Sequence, residues 1–219
     1  MQSFLKNIPK VIKFIPDHRP KSVETIIANK SRVLYFPVNF PQLFPVEKSI
    51  YLLHIVWPHR WEFDKGPDDF FDVIFRLKEE KLPFRLSILG ETYEDIPDVF
   101  QKAKNELTDE IIHFGFVEDK EKYFKILSSS HIAVSTAKHE FFGVSMLEAA
   151  YCGCFPLVPN GLVYPEIFPK ICLYTDKEHL FKLLKQFCLD PNLLQNCDMK
   201  FDDYCDKKLV PEYLKILEI

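Results

Sequence analysis

The chain has 219 residues, 47% of them hydrophobic and 15% aromatic, enough for a full core in one large domain or in one domain and a fragment. No apolar stretch approaches the roughly 18 residues of a bilayer-spanning helix, and residues 1–10 lack the apolar centre and small-residue cleavage site of a secretory signal. A protein of the cytoplasm or of cytoplasm and nucleus, with no membrane partner, is therefore expected. The net charge of −4 is uneven: residues 1–32 carry an excess of five positive charges and the remainder an excess of nine negative ones. The front is thus either a solvated linker helix or a basic arm able to attract nucleic acid.

In chain order, residues 1–48 do not read as a self-sufficient domain. A helix is expected at 2–14, followed by Pro16 and Pro20, then a strand-like run at 33–38; Pro41 and Pro45 mark an extended linker. So short a stretch buries too little surface to stand alone. It is expected to be the remnant of a preceding N-terminal domain with its interdomain linker. From residue 50 onward β-rich runs alternate with amphipathic segments. Strands are predicted at 51–56, 84–90, 111–115, 131–135, 155–158 and 171–174, with helices at 67–81, 95–106, 119–128, 144–152, 162–168 and 176–189. Pro67 suits the first position of its helix, Phe70, Ile74 and Leu77 share one face of it, and Asp119 and Asp176 are predicted N-caps. This alternation predicts an α/β fold, a Rossmann-like parallel sheet with helices on both faces, over 49–219. The tail from Pro191 reads as two more helices broken near residue 205. The six cysteines form no Cys-x-x-Cys pair and no histidine pair has zinc spacing, so buried or idle thiols are expected, with Cys152 and Cys154 packing at a helix-to-strand turn.

The most informative stretch runs from His139 to Glu148. Glu140 and Glu148 bracket Gly143 at the start of the helix predicted at 144–152. Glycine admits close backbone approach, and the first N–H groups of a helix attract anions. Carboxylates on either side are repelled by that anion, so they suit hydroxyls attached to it: a diphosphate with ribose at one end and a hexose at the other. Arg60 and Lys65 flank a loop between a predicted strand and helix, where ligands bind in open α/β sheets. Two cations there neutralise a diphosphate without a metal ion.

These residues also carry a resemblance. Arg60-x4-Lys65-Gly66 and Glu140-x7-Glu148 with the intervening Phe142-Gly143 resemble the donor-site motifs of retaining GT-B glycosyltransferases of the glycogen-synthase-like group. The run from Trp57 to Phe71, Leu89-Gly90-Glu91-Thr92, the run from Ser135 to Gly143, and Val163-Tyr164-Pro165-Glu166 are similar to the tRNA-queuosine mannosyltransferase family. The likeness covers about 1–190 and is dense from 52 to 170. It implies the C-terminal, donor-binding domain of a GT-B enzyme that passes mannose from GDP-mannose to queuosine in the anticodon loop of tRNA-Asp, with retained anomeric configuration. Arg60, Lys65 and Glu140 then take catalytic positions: the cations and the N–H groups around Phe142, Gly143 and Val144 hold the departing diphosphate, and Glu140 binds sugar hydroxyls. Glu148 binds the ribose hydroxyls, and His139 and Phe141 join the donor loop. The base lies near Gly90 and Glu91 and near Phe116 and Val117. No cofactor or metal is expected, and the sequence has no Asp-x-Asp motif. The acceptor-holding N-terminal domain of the family is expected to be represented only by its last helix and strand. The alternatives are a catalytically silent nucleotide-sugar-binding module or a glycosyltransferase with another acceptor.

Several residues keep two readings. Lys138 and His139 are ligands or solvated loop residues, and Leu89 and Phe116 are core or base contacts. Trp57 and Trp61 are expected to pack rather than stack on a ligand, and His54, His113 and His131 to be structural. The directions of Tyr164 and Glu166, in a loop shaped by Pro165, stay open.

Overall fold

The computed structural model describes residues 1–42, 46, 48, 52–92, 95–194 and 197–217. They form two compact units, Met1–Pro37 with Asp202–Ile219, and Val38–Phe201. The first unit opens with α1 (Gln2–Ile12) and α2 (Val23–Ala28), which pack on each other. Helix α2 has no counterpart in the sequence prediction: at six residues it is too short for helical periodicity to register. The run at 33–37 forms no strand; Pro37 has no N–H to donate to a neighbouring strand.

The second unit is built on β1 (Leu53–Pro58), β2 (Phe84–Leu89), β3 (Ile111–Gly115), β4 (Ile132–Val134), β5 (Phe155–Pro159) and β6 (Leu173–Tyr174), all parallel in the order β3-β2-β1-β4-β5-β6. Between them run α3 (Pro67–Glu79), α4 (Val99–Glu106), α5 (Lys120–Ser129), α6 (Val144–Tyr151), α7 (Tyr164–Ile167) and, after β6, α8 (Lys177–Leu189). The connections from β1 to β3 step one way and those from β4 to β6 the other. Right-handed crossovers then put their helices on opposite faces, and α3 packs with α4 and α8 while α5 packs with α6. This is the Rossmann-like arrangement expected from the alternation. Every residue of β1 is buried, as a central strand covered on both faces requires.

The element boundaries differ where local chemistry overrides periodicity. Helix α4 starts at Val99 rather than 95, because Pro97 disfavours helical backbone in the residue before it. Helix α7 is trimmed by the left-handed backbone of Leu162 at φ 56°. Strand β6 loses its first residues to a 3-10 turn, Lys170–Cys172. The predicted strand start at Tyr51 and the linker residue Pro45 lie outside the described residues. After the 3-10 turns Pro191–Leu193 and Phe201–Tyr204, which replace the first predicted tail helix, comes α9 (Asp206–Leu217). Within the first unit Tyr213 donates to the Tyr35 carbonyl at 3.1 Å and Arg32 pairs with Glu212 at 3.3 Å.

Aromatic packing locks the loop after β1. Trp57 is fully buried, lies 5.7 Å from Phe70 and Phe100, and donates its indole N–H to Thr136 Oγ1 at 3.2 Å. Trp61 stacks on Phe100 at 4.2 Å. Both tryptophans are packing residues. Asp119 and Asp176 cap α5 and α8 as expected, accepting from Glu121 and Lys122 N–H and from His179 N–H.

Candidate functional site

The strand order reverses at β1 and β4, which are neighbours although β2 and β3 separate them in sequence. Ligands of open α/β sheets bind outside the carboxyl ends of the strands at such a switch point. The loops that leave it are 59–66 after β1 and 135–143 after β4. Two cavities open there, of about 310 Å³ and 200 Å³, and both are lined by Pro58, His59 and Arg60.

Arg60, Lys65, Glu140, Phe141, Phe142, Gly143 and Val144 line the larger cavity together with Ser145. Lys65 is buried there. Its ammonium donates to the His139 carbonyl at 3.0 Å and faces Asp64 Oδ2 at 3.3 Å and Glu140 Oε2 at 3.5 Å. The other carboxylate oxygen of Glu140 accepts from the N–H of Phe141 at 3.0 Å and of Phe142 at 3.5 Å. One carboxylate thus sits on a cation and two loop amides, the kind of donors that hold an anion. Arg60 is half-exposed and pairs with Glu62 at 3.1 Å. Gly143 has φ 78°, and a side chain there would meet the ring of the buried Tyr164 at 3.0 Å. Tyr164 in turn shares a 2.7 Å hydrogen bond with Ser135, so it supports the loop from below and burial pushes its phenol pKa up. Helix α6 begins directly after Gly143, and its first N–H groups have no intrahelical acceptor.

Gly90, Glu91, Phe116 and Val117 line the smaller cavity with Leu89 and Tyr123. Leu89 is core as well as cavity wall, whereas Phe116 is 63% exposed. Gly90 adopts φ 146°, and a Cβ on it would lie 1.8 Å from the His59 carbonyl oxygen. Glycine is what lets the loops after β1 and β2 cross.

The two acids are held differently. Glu148, half-buried on α6, accepts from the hydroxyl of Tyr123 on α5 at 3.3 Å. Burial raises its pKa, opposed by Lys120 and by the Tyr123 hydrogen bond. Through Tyr123 it adjoins the smaller cavity, while Glu140 belongs to the larger. His139 is exposed and contributes its carbonyl to Lys65 rather than lining either cavity; Lys138 is exposed and faces Asp69 at 3.6 Å. Phe141 is 98% exposed at the rim.

Sequence reasoning missed several residues of the candidate site, Tyr123 and His59 foremost, with Pro58 and Ser145 beside them. Tyr123 has no local signal: it sits mid-helix, and only the packing of α5 on α6 brings it to Glu148. His59 lines both cavities and is buried, its Nε2 without a hydrogen-bond partner among the described residues. Burial, then the Lys65 charge, lower its pKa to about 3, so it is neutral. Its position beside Arg60 was the available signal.

The chain belongs to the Glycosyl transferases group 1 family, whose profile matches residues 40–199. A second profile, tRNA-queuosine alpha-mannosyltransferase N-terminal, matches residues 1–38. The chain is 41% identical over 231 residues to the tRNA-queuosine alpha-mannosyltransferase of Drosophila melanogaster, covering 98% of this chain and 61% of that protein. It therefore spans less than two thirds of that relative's length. Among solved structures it resembles the pneumococcal O-GlcNAc transferase GtfA in complex with UDP and GlcNAc, with a TM-score of 0.62 at 15% identity over 100% of this chain and 44% of that one. It also resembles sucrose-phosphate synthase from Thermosynechococcus elongatus, with a TM-score of 0.60 at 14% identity over 84% and 49%. At such identities the likeness is one of fold, the GT-B glycosyltransferase fold.

Proposed function

We propose that this chain carries the donor site of a retaining glycosyltransferase that moves mannose from GDP-mannose to queuosine in the anticodon loop of tRNA-Asp. The observation that carries the reading is the opposition of Lys65 and Glu140 across the switch point, 3.5 Å apart on loops from β1 and β4, with the start of α6 beside them. The family membership and the name of the Drosophila relative support the reaction class and the acceptor.

The chemistry follows from the geometry. Departure of a nucleoside diphosphate develops negative charge, which Arg60, Lys65 and the first N–H groups of α6 are placed to neutralise without a metal ion. Each preorganised donor of this kind contributes about 3–4 kcal/mol to transition-state stabilisation. Donor binding displaces Glu140 from the loop amides toward the hexose hydroxyls, while Glu148, steadied by Tyr123, takes the ribose. The base lies over Gly90 and Glu91 beside Phe116. Attack then proceeds on the face from which the diphosphate leaves, its oxygen taking the acceptor proton.

Titration calorimetry of GDP and GDP-mannose in EDTA, with UDP and ADP alongside, tests the donor site. GDP is expected to bind most tightly; binding that requires magnesium or manganese sinks the metal-free site. Incubation with GDP-mannose and queuosine-modified tRNA-Asp, read by mass spectrometry for mannosyl-queuosine, tests the acceptor. Donor binding without transfer assigns the chain the donor site alone.

A further inference from the structure

Away from the groove, two sulfur atoms face each other. Cys172 closes the turn Lys170–Cys172 at the start of edge strand β6 and is fully buried. Cys197 lies half-buried in the irregular stretch beyond Pro191–Leu193, on the wall of a separate cavity of about 550 Å³ that Lys48, His131 and Leu194 also line. The two Sγ atoms are 3.2 Å apart and are not joined in a disulfide. A disulfide has its sulfurs about 2.05 Å apart. Closing the gap needs a displacement of about an ångström, and Cys197 stands in irregular chain rather than in a helix or strand.

The remaining cysteines lack this arrangement. Cys152, Cys154 and Cys188 are buried, and desolvation pushes their thiols up to about 11, 12 and 12, which keeps them protonated and poorly nucleophilic. Cys154 is also engaged with the Leu127 carbonyl at 3.0 Å. Cys205 donates to Asp206 Oδ1 at 3.4 Å.

We propose that Cys172 and Cys197 are a peroxide-sensitive dithiol whose disulfide staples the segment following α8 to the edge of the sheet. Cys197 attacks first, because it is the more accessible sulfur; the contact with Cys172 favours its thiolate, while the same contact and burial hold the Cys172 thiol protonated until it resolves the intermediate. The thiolate takes one oxygen of hydrogen peroxide, breaking the O–O bond and releasing hydroxide, which leaves Cys197 as the sulfenic acid. The Cys172 sulfur, giving up its proton, then attacks the sulfenic sulfur and expels its hydroxyl as water. In sum, two thiols and one hydrogen peroxide become one disulfide and two waters: the sulfurs are oxidised and the peroxide oxygens reduced. The link closes a loop with a sequence separation of 25. This site is independent of the donor reading, since neither cysteine lines the groove.

The test uses the full chain, reduced and then exposed to hydrogen peroxide, with remaining thiols alkylated before peptide mass spectrometry. The expected result is one cross-link, joining the peptides of Cys172 and Cys197, with the other four cysteines alkylated. Peroxide should also raise the melting temperature by about 5–10 °C in the wild type and in Cys205→Ser. Cys197→Ser, which changes a half-buried position, should melt like the reduced wild type and show no peroxide shift. Alkylated Cys172 and Cys197, a cross-link elsewhere, oxidation of Cys197 to sulfinic acid without linkage, or a shift that persists in Cys197→Ser would each overturn the proposal.

Discussion

Strand β1 has a buried histidine at each end, and the molecule treats the two oppositely. At the amino end His54 is fully bonded: Nε2 meets Ser87 Oγ at 2.8 Å, Nδ1 meets the Ser129 carbonyl at 3.3 Å, and its N–H donates to His131 Nδ1 at 2.9 Å. Ser87 extends the chain to His113 at 3.0 Å. Just beyond the carboxyl end, His59 leaves its Nε2 buried without a partner among the described residues, beside a lysine and a glutamate that neutralise each other across a cavity. Buried polar groups are satisfied almost everywhere in native proteins, and exceptions gather where a ligand acts. The amino edge is thus bonded for stability, while the carboxyl edge holds the candidate site.

The largest effect should come from putting a side chain where the carboxyl-edge loops cross. Gly90→Ala drives a methyl group into the His59 carbonyl and should cost more than about 3 kcal/mol in urea unfolding, or abolish GDP binding. The amino-edge counterpart, Gly153→Ala, meets only the Lys48 ammonium at 3.7 Å and should cost about 1–2 kcal/mol for its left-handed backbone. Equal costs would break the contrast.

Lys65→Ala removes the cation facing Glu140 and should weaken GDP binding by about 1.5–3 kcal/mol, tenfold or more by calorimetry. His54→Ala should lose a similar amount of stability, about 1–3 kcal/mol, by removing the buried imidazole that links Ser87 to the Ser129 carbonyl, while GDP affinity stays within about twofold. A loss of affinity in His54→Ala would mean that the two ends are not separable.

Both histidines should make the protein acid-sensitive. Burial depresses the folded pKa of His54 to about 4 and of His59 to about 3, below the ordinary 6.5. In the unfolded chain each binds a proton as pH falls through about 6.5, while the folded chain resists until the lower values. Stability is thus fully present above about pH 6.5 and is lost progressively toward pH 4, on the order of 1 kcal/mol per pH unit per histidine. Melting temperatures measured from pH 7.5 to 4.5 should fall, and His54→Gln should flatten the slope. A pH-independent melt contradicts both assignments.

The smallest effect belongs to Glu148→Gln. Glutamine still accepts from Tyr123 and removes a charge that burial disfavours, so stability should change by less than about 1 kcal/mol. GDP affinity should drop while pyrophosphate affinity holds; an equal loss for both would remove Glu148 from the ribose role.

Much of this was legible in the chain itself. The alternation of β-rich and amphipathic runs determined a parallel sheet with helices on both faces, because period-two and period-3.6 patterns bury different faces and need each other's cover. Glu140, Gly143 and Glu148 could be read together because one loop and one helix turn carry them, and Arg60 with Lys65 because one loop does. What only the tertiary structure decided was that these two loops are neighbours. That follows from β1 pairing with β4 as well as with β2, a choice made by long-range strand registry such as Val56 against Ala133, which no local pattern encodes. The same packing put Tyr123 on Glu148, set Glu140 on Lys65, and left His59 Nε2 without a partner among the described residues. Each of these depends on side chains far apart in sequence meeting in a desolvated space, where a hydrogen bond or its absence is decided by geometry rather than by residue type.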